Sequence, residues 1–211
     1  TWELLAHDPT ANEVHLGIRF RSPQVGYVVS TNGHLLVTRD GGQSWSVQTL
    51  QVEDWYQNHL FDIAWTRDDM LVAAEKGVIY RSTDGGASWA SVQSPYEGSF
   101  FGMARLADTA LVLFGMSGRI YLEQQDREWV RVDTETEQFF YDAWPLDDGG
   151  LLIVGAGGTI VRLDARTHRA SVEQRANRAA LTAVAVAGER VYLASAAGGI
   201  TVSDLRHLTR H

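Results

Sequence analysis

Five glycines recur along this chain at nearly constant intervals, and that periodicity limits what it can fold into more than any other feature. They are Gly33, Gly77, Gly118, Gly158 and Gly199, spaced 44, 41, 40 and 41 residues apart. Around each the same grammar repeats: short apolar run, turn, short apolar run, glycine-bearing turn, short run, turn, short run. In the first unit the runs are 17–20, 26–29, 35–37 and 45–49; in the second they are 61–65, 70–73, 78–81 and 89–92. Runs this short, with no amphipathic helical stretch between them, predict an all-β chain with helices almost absent. A period of roughly 40–45 residues is the length of one four-stranded sheet in a radial array.

The later units keep the grammar and lose some of its punctuation. The third has runs at 101–105, 110–114, 119–122 and 129–132, but its last turn, Glu123 to Glu128, has no glycine. The fourth has runs at 141–144, 151–154 and 159–163, then a weak strand near 170–173. The fifth has 181–186, 191–194 and 200–202, followed only by 204–211. The opening residues Thr1-Trp2-Glu3-Leu4-Leu5 look like a final strand, as in Ser44-Trp45-Ser46-Val47. The expected fold is therefore a β-propeller of about five four-stranded blades in a single domain, 1–211. The blades are expected at 14–50, 60–93, 100–133, 139–174 and 180–204, the last joined by 1–5. Two arrangements stay open: the first strand pairs with the last blade and closes the ring, or the chain is a segment of a larger ring.

The most specific local signal is the octet Thr38-Arg39-Asp40-Gly41-Gly42-Gln43-Ser44-Trp45 and its copy Ser82-Thr83-Asp84-Gly85-Gly86-Ala87-Ser88-Trp89. Each reads as a tight turn. A carboxylate accepts backbone N–H bonds, and glycines take left-handed positions that other residues resist. The tryptophan then opens the next strand. The octet resembles the Asp-box of a superfamily of propellers. Asp40, Gly42, Trp45, Asp84, Gly86 and Trp89 are accordingly expected to serve turn geometry and packing. A calcium loop is a poor fit, because its alternating carboxylates are missing.

A narrower likeness comes from Gly26-Tyr27-Val28-Val29 with Gly33, from Ser94-Pro95-Tyr96-Glu97-Gly98-Ser99-Phe100-Phe101-Gly102, and from Leu113-Phe114-Gly115 with Gly118. Over most of residues 14–163 the chain resembles the Ycf48/Hcf136-like family, named for a photosystem II assembly factor. The resemblance implies an exported or periplasmic, non-catalytic scaffold. It would bind a membrane-protein client, with RND-type transporters among the clients of non-photosynthetic relatives. No catalytic residue and no cofactor come with it.

Composition narrows the alternatives. A net charge of −8 argues against nucleic acid as partner, since phosphate neutralisation needs clustered Lys and Arg. The absence of cysteine excludes disulfides and Cys-zinc sites, and no long apolar run spans a membrane. The seven histidines are scattered without metal-ligand spacing. Gly155-Ala156-Gly157-Gly158 falls where the repeat puts a turn and has no helix behind it to make a phosphate loop. A carbohydrate-active propeller, sialidase-like or lectin-like, is the alternative from another class. Phe20-Arg21-Ser22-Pro23 faintly resembles a sialidase arginine motif, yet it occupies an ordinary hairpin position of the repeat. Recognition by loops remains. The turn between the second and third strands and the link to the next blade emerge on one face. There Trp55, Tyr56, His59, Lys76, Tyr96 and Glu97 are the candidate contacts with a protein partner, Trp55 and Tyr56 being adjacent aromatics in a polar loop.

Overall fold

The computed structural model describes residues 13–51, 57–107, 110–124 and 127–208. Among them the chain forms five antiparallel sheets, each with its strands side by side in chain order. The first contains β1 (His15–Phe20), β2 (Gly26–Ser30), β3 (His34–Thr38) and β4 (Ser46–Thr49). The second contains β5 (Leu60–Trp65), β6 (Met70–Ala74), β7 (Ile79–Ser82) and β8 (Ala90–Val92). The third holds β9 (Phe100–Leu106), β10 (Ala110–Gly115), β11 (Ile120–Glu123) and β12 (Trp129–Val132), and the fourth β13 (Phe140–Pro145), β14 (Leu151–Gly155), β15 (Thr159–Leu163) and β16 (Ala170–Gln174). The fifth has β17 (Leu181–Ala187), β18 (Arg190–Ser195) and β19 (Ile200–Asp204), followed by the single helical turn α1 (Leu205–Leu208). The expected pairing of residues 1–5 with this last sheet lies outside the described residues. Helix among the described residues is confined to α1 and four three-residue 3-10 turns.

The chain divides into two compact units, Thr1–Ser99 and Phe100–His211. Within the first, Tyr27, Val29, Leu35 and Val37 of the first sheet bury against Leu60, Ile63, Met70, Val72 and Tyr80 of the second. Within the second unit the fourth sheet is buried on both faces. Leu151, Ile153, Val161 and Leu163 join the third sheet's cluster, while Leu152, Val154 and Ile160 join that of the fifth. This explains the unbroken apolar run Leu151-Leu152-Ile153-Val154-Gly155, which is buried at every position. Successive side chains leave a strand on opposite faces, so a strand covered on both sides has no polar register.

Each sheet carries a register shift near the start of its first strand, at His15/Gly17, Leu60/Asp62, Phe100/Gly102, Phe140/Asp142 and Leu181/Ala183. One extra residue is left out of the ladder there: Leu16, Phe61, Phe101, Tyr141 and Thr182 respectively. A bulge of this kind re-aims the side chain it carries.

The periodic glycines are explained by contact as well as by conformation. Gly33, Gly77 and Gly118 have φ of 72°, 73° and 66°, and each lies against the link that leaves its sheet. A Cβ at these positions would run into the backbone carbonyl of Leu50, Tyr96 or Thr136. Gly158 meets Arg175 and Ala179 less tightly, and Gly199, at φ 81°, has open space around it. Alanine at either Gly118 or Gly199 takes the left-handed strain of about 1 kcal/mol. Only at Gly118 does it also displace a carbonyl. Gly118→Ala is therefore expected to lower unfolding free energy by about 3 kcal/mol and Gly199→Ala by about 1 kcal/mol, measured by urea denaturation of each variant.

Candidate functional site

The turns between second and third strands share one construction. Thr31–Gly33, Glu75–Gly77, Met116–Gly118 and Ala156–Gly158 each form a 3-10 turn whose central residue is left-handed: Asn32 at φ 57°, Lys76 at 55°, Ser117 at 54° and Gly157 at 60°. Three of these apices are not glycine. The adjoining links hold the strain in place, and rigidly held loops of this kind are what a recognition surface needs.

In the first unit, four of the expected contact residues border one turn, Glu75–Gly77. The backbone N–H of Glu75 donates to the His59 carbonyl at 2.9 Å, and the His59 imidazole Nδ1 accepts from the Asn32 N–H at 3.3 Å. The Lys76 N–H donates to the Ser99 hydroxyl at 3.1 Å, leaving the lysine side chain exposed at the apex. Tyr96 and Glu97 lie along Gly77, with Glu97 exposed. The Tyr96 ring covers Gly98 and is half-buried, so part of its surface is spent on shaping its own loop. Ser94 Oγ donates to the Tyr96 carbonyl at 2.6 Å and fixes that loop. Trp55 and Tyr56 lie outside the described residues.

In each Asp-box octet the aspartate is bonded within the turn itself. Asp40 Oδ1 accepts from the Ser44 N–H at 2.9 Å and from the Thr38 hydroxyl at 2.8 Å, while Oδ2 accepts from the Ser44 hydroxyl at 2.6 Å. Asp84 repeats this with Ser88 and Ser82 at 2.9, 2.7 and 2.6 Å. Gly42 and Gly86, at φ 92° and 89°, donate to Thr38 Oγ1 and Ser82 Oγ, both at 2.8 Å. Trp45 meets Phe20 edge-on at 6.4 Å. Trp89 packs on the core shared by the first two sheets and donates its indole N–H to Gln48 Oε1 at 3.3 Å. In the glycine-free third turn Arg127 takes the left-handed position at φ 67°, and in the fourth Asp164 still accepts from the Thr167 N–H at 2.7 Å.

Three arginines pair with carboxylates at separate places. Arg19 pairs with Asp62 and Arg81 with Asp69 in the first unit; Arg162 pairs with Asp148 in the second. No group of three His, Asp or Glu able to hold a metal ion occurs among the described residues.

A cluster that sequence patterning misses lies in the second unit. Phe101 sits 6.2 Å from Phe139 and 6.0 Å from Tyr141, ring centre to ring centre. Phe101 and Tyr141 are the bulge residues of their sheets, while their neighbours Phe100 and Phe140 are fully buried. The doublets Phe100-Phe101 and Phe139-Phe140 were the available signal. In a strand one member of an aromatic doublet must leave the core face.

Five sheets of up-and-down strands, with Asp-boxes at the turns between third and fourth strands, define an Asp-box β-propeller. The β-propeller domain of Cps50 (Swd1) from Myceliophteria thermophila matches at a TM-score of 0.68 and 12% identity, over 94% of this chain and 69% of that one. A solved YCF48 bound to D1 peptide matches at a TM-score of 0.72 and 21% identity, over 91% of this chain and 63% of that one. At these identities the likeness shows the fold. The family model described as photosynthesis system II assembly factor YCF48 matches residues 1–159, and the chain belongs to that family. The photosystem II assembly lipoprotein Ycf48 of Synechococcus sp. (strain CC9902) is 30% identical over 88 residues, which is 42% of this chain and 26% of that protein. The chain thus spans less than two thirds of the solved YCF48, and the match covers about a quarter of the cyanobacterial protein.

The Asp-box carboxylates give a pH prediction. The Ser44 hydroxyl and N–H, with the Thr38 hydroxyl, hold Asp40 down at about 2 against an ordinary 3.8, and the Ser88 and Ser82 groups likewise hold Asp84 well below its ordinary value. A depressed folded pKa stabilises the fold above the ordinary value, and that contribution is lost as pH falls through the folded one. The thermal midpoint of Asp40→Asn is expected to lie below wild type at neutral pH. The gap should narrow as pH drops from 3.8 toward 2, followed by tryptophan fluorescence.

Proposed function

We propose that this chain is a non-enzymatic binding scaffold that holds an extended segment of a membrane-protein client outside the bilayer. The observation that carries it is the solved YCF48 bound to D1 peptide, a relative of the same fold within the family this chain belongs to. A D1-type segment is accordingly the first client to test. Nothing in the relatives supports an RND-type transporter or a carbohydrate substrate in its place. The contact surface is placed on the loops around Glu75–Gly77, with Lys76 and Glu97 as exposed charges and His59 and Tyr96 beside them. Trp55 and Tyr56 complete the proposed surface as its aromatic anchors. Loops already fixed by the Glu75–His59, Lys76–Ser99 and Ser94–Tyr96 hydrogen bonds lose little entropy when a segment docks on them. An exported location agrees with the cyanobacterial relative being a lipoprotein.

Isothermal titration with a synthetic D1 peptide tests this directly. Wild type is expected to bind, and Lys76→Glu, Tyr96→Ala, Trp55→Ala and Tyr56→Ala to bind about tenfold more weakly, the loss typical of an anchor residue. No binding by wild type overturns the function. Unchanged binding by all four variants overturns the surface.

A further inference from the structure

The register shifts of the third and fourth sheets set their extra residues ring against ring; the second sheet's extra residue, Phe61, is aromatic as well. In the third and fourth sheets these residues are Phe101 and Tyr141, and both rings are half-buried beside each other. Phe139 adds a third ring, 36% exposed, from the link that enters β13. The same link, Asp133-Thr134-Glu135-Thr136-Glu137-Gln138-Phe139, carries three exposed carboxylates, and no Lys, Arg or His occurs from residue 133 through residue 161. Arg119, which follows the third turn, is half-buried and engaged by its neighbours.

The link is held in shape. The Thr134 hydroxyl donates to the Gly118 carbonyl at 2.8 Å, the Gly118 N–H donates to the Gln138 carbonyl at 2.9 Å, and the Ala156 N–H donates to the Phe139 carbonyl at 2.8 Å. Glu135 is left-handed at φ 50°, with its N–H on Asp133 Oδ1. An aromatic cluster fixed beside carboxylates attracts cations twice, through the ring quadrupoles and through charge, and buries an apolar side chain as well. We infer that Phe101, Phe139 and Tyr141 form a second peptide-docking surface, which takes an extended segment pairing an Arg or Lys with an apolar side chain. Glu135 and Glu137 select the cation, and the rings take the apolar group and the flat face of a guanidinium.

Other residues carry this surface than those around Glu75–Gly77, and it is tested with other peptides, so either surface can fail alone. Fluorescence anisotropy is measured with a short labelled peptide alternating Arg and Phe, with Glu in place of Arg, and with Ser in place of Phe. The Arg–Phe peptide is expected to bind, more weakly as salt rises, and both altered peptides about tenfold less well. Phe139→Ala is expected to cost about tenfold, and the doubly exposed pair Glu135→Gln with Glu137→Gln to remove most of the salt dependence. Phe139 is exposed and the glutamates are on the surface, so circular dichroism should be unchanged in both. Equal binding of the Glu–Phe peptide, unaltered binding by folded Phe139→Ala together with the glutamate pair, or no binding of any peptide overturns the inference.

Discussion

The contact between a glycine and a backbone carbonyl organises each of the first three sheets. At Gly33, Gly77 and Gly118 the chain leaving the sheet returns across the turn between the second and third strands, so close that only a hydrogen fits between them. That approach does three things at once. It satisfies backbone groups of the link, as in the Leu50 N–H donating to the Gly33 carbonyl at 2.7 Å. It braces the left-handed apices Asn32, Lys76 and Ser117, which would otherwise be strained. It also brings link residues and turn residues into one surface, which is why His59, Lys76, Tyr96 and Glu97 border a single turn.

The opposite ends of the sheets are stabilised differently. There the Asp-box carboxylates are held by hydroxyl and backbone groups within four residues of sequence, while Trp89 and Gly41 tie the turns to Gln48 and Gln24. Where the box has decayed, parts of it survive: Trp129 and a left-handed Arg127 in the third sheet, the Asp164 carboxylate in the fourth. Turn geometry is therefore conserved in physical terms even where its preferred residues are gone. Beneath the turns, ion pairs such as Arg81 with Asp69, at 2.5 Å and almost wholly buried, tie a third strand to the hairpin turn ahead of the second. Breaking one partner of such a pair strands the other charge in the core.

Much of this was legible in the sequence because repetition averages out local ambiguity. Strand positions and the rarity of helix follow from glycine spacing and short apolar runs, while the family likeness rests on the stretches around Gly26, Ser94–Gly102 and Leu113. Even the weak run near residue 170 forms a strand, since Leu163 and Val161 offer it a partner edge. The aromatic cluster was not legible. Alternation assumes an unbroken ladder, and a single extra residue at Phe101 or Tyr141 reverses which side chains face out. Tyr96 adds a detail that its loop position did not show: its ring lies over Gly98, two residues on, so one face of it shapes the loop.

The local bonding of the Asp-box carboxylates bears on how the chain reaches its fold. Every hydrogen bond around Asp84 joins residues no more than four apart, so the β7–β8 hairpin can begin to form before any distant contact exists. Local closure of this kind takes about microseconds, far ahead of the slow search that β-rich chains otherwise face. The two intact octets both fall in the first unit. During synthesis, the N-terminal half emerges with its nucleation points already built in, ahead of the sheets whose turns have decayed.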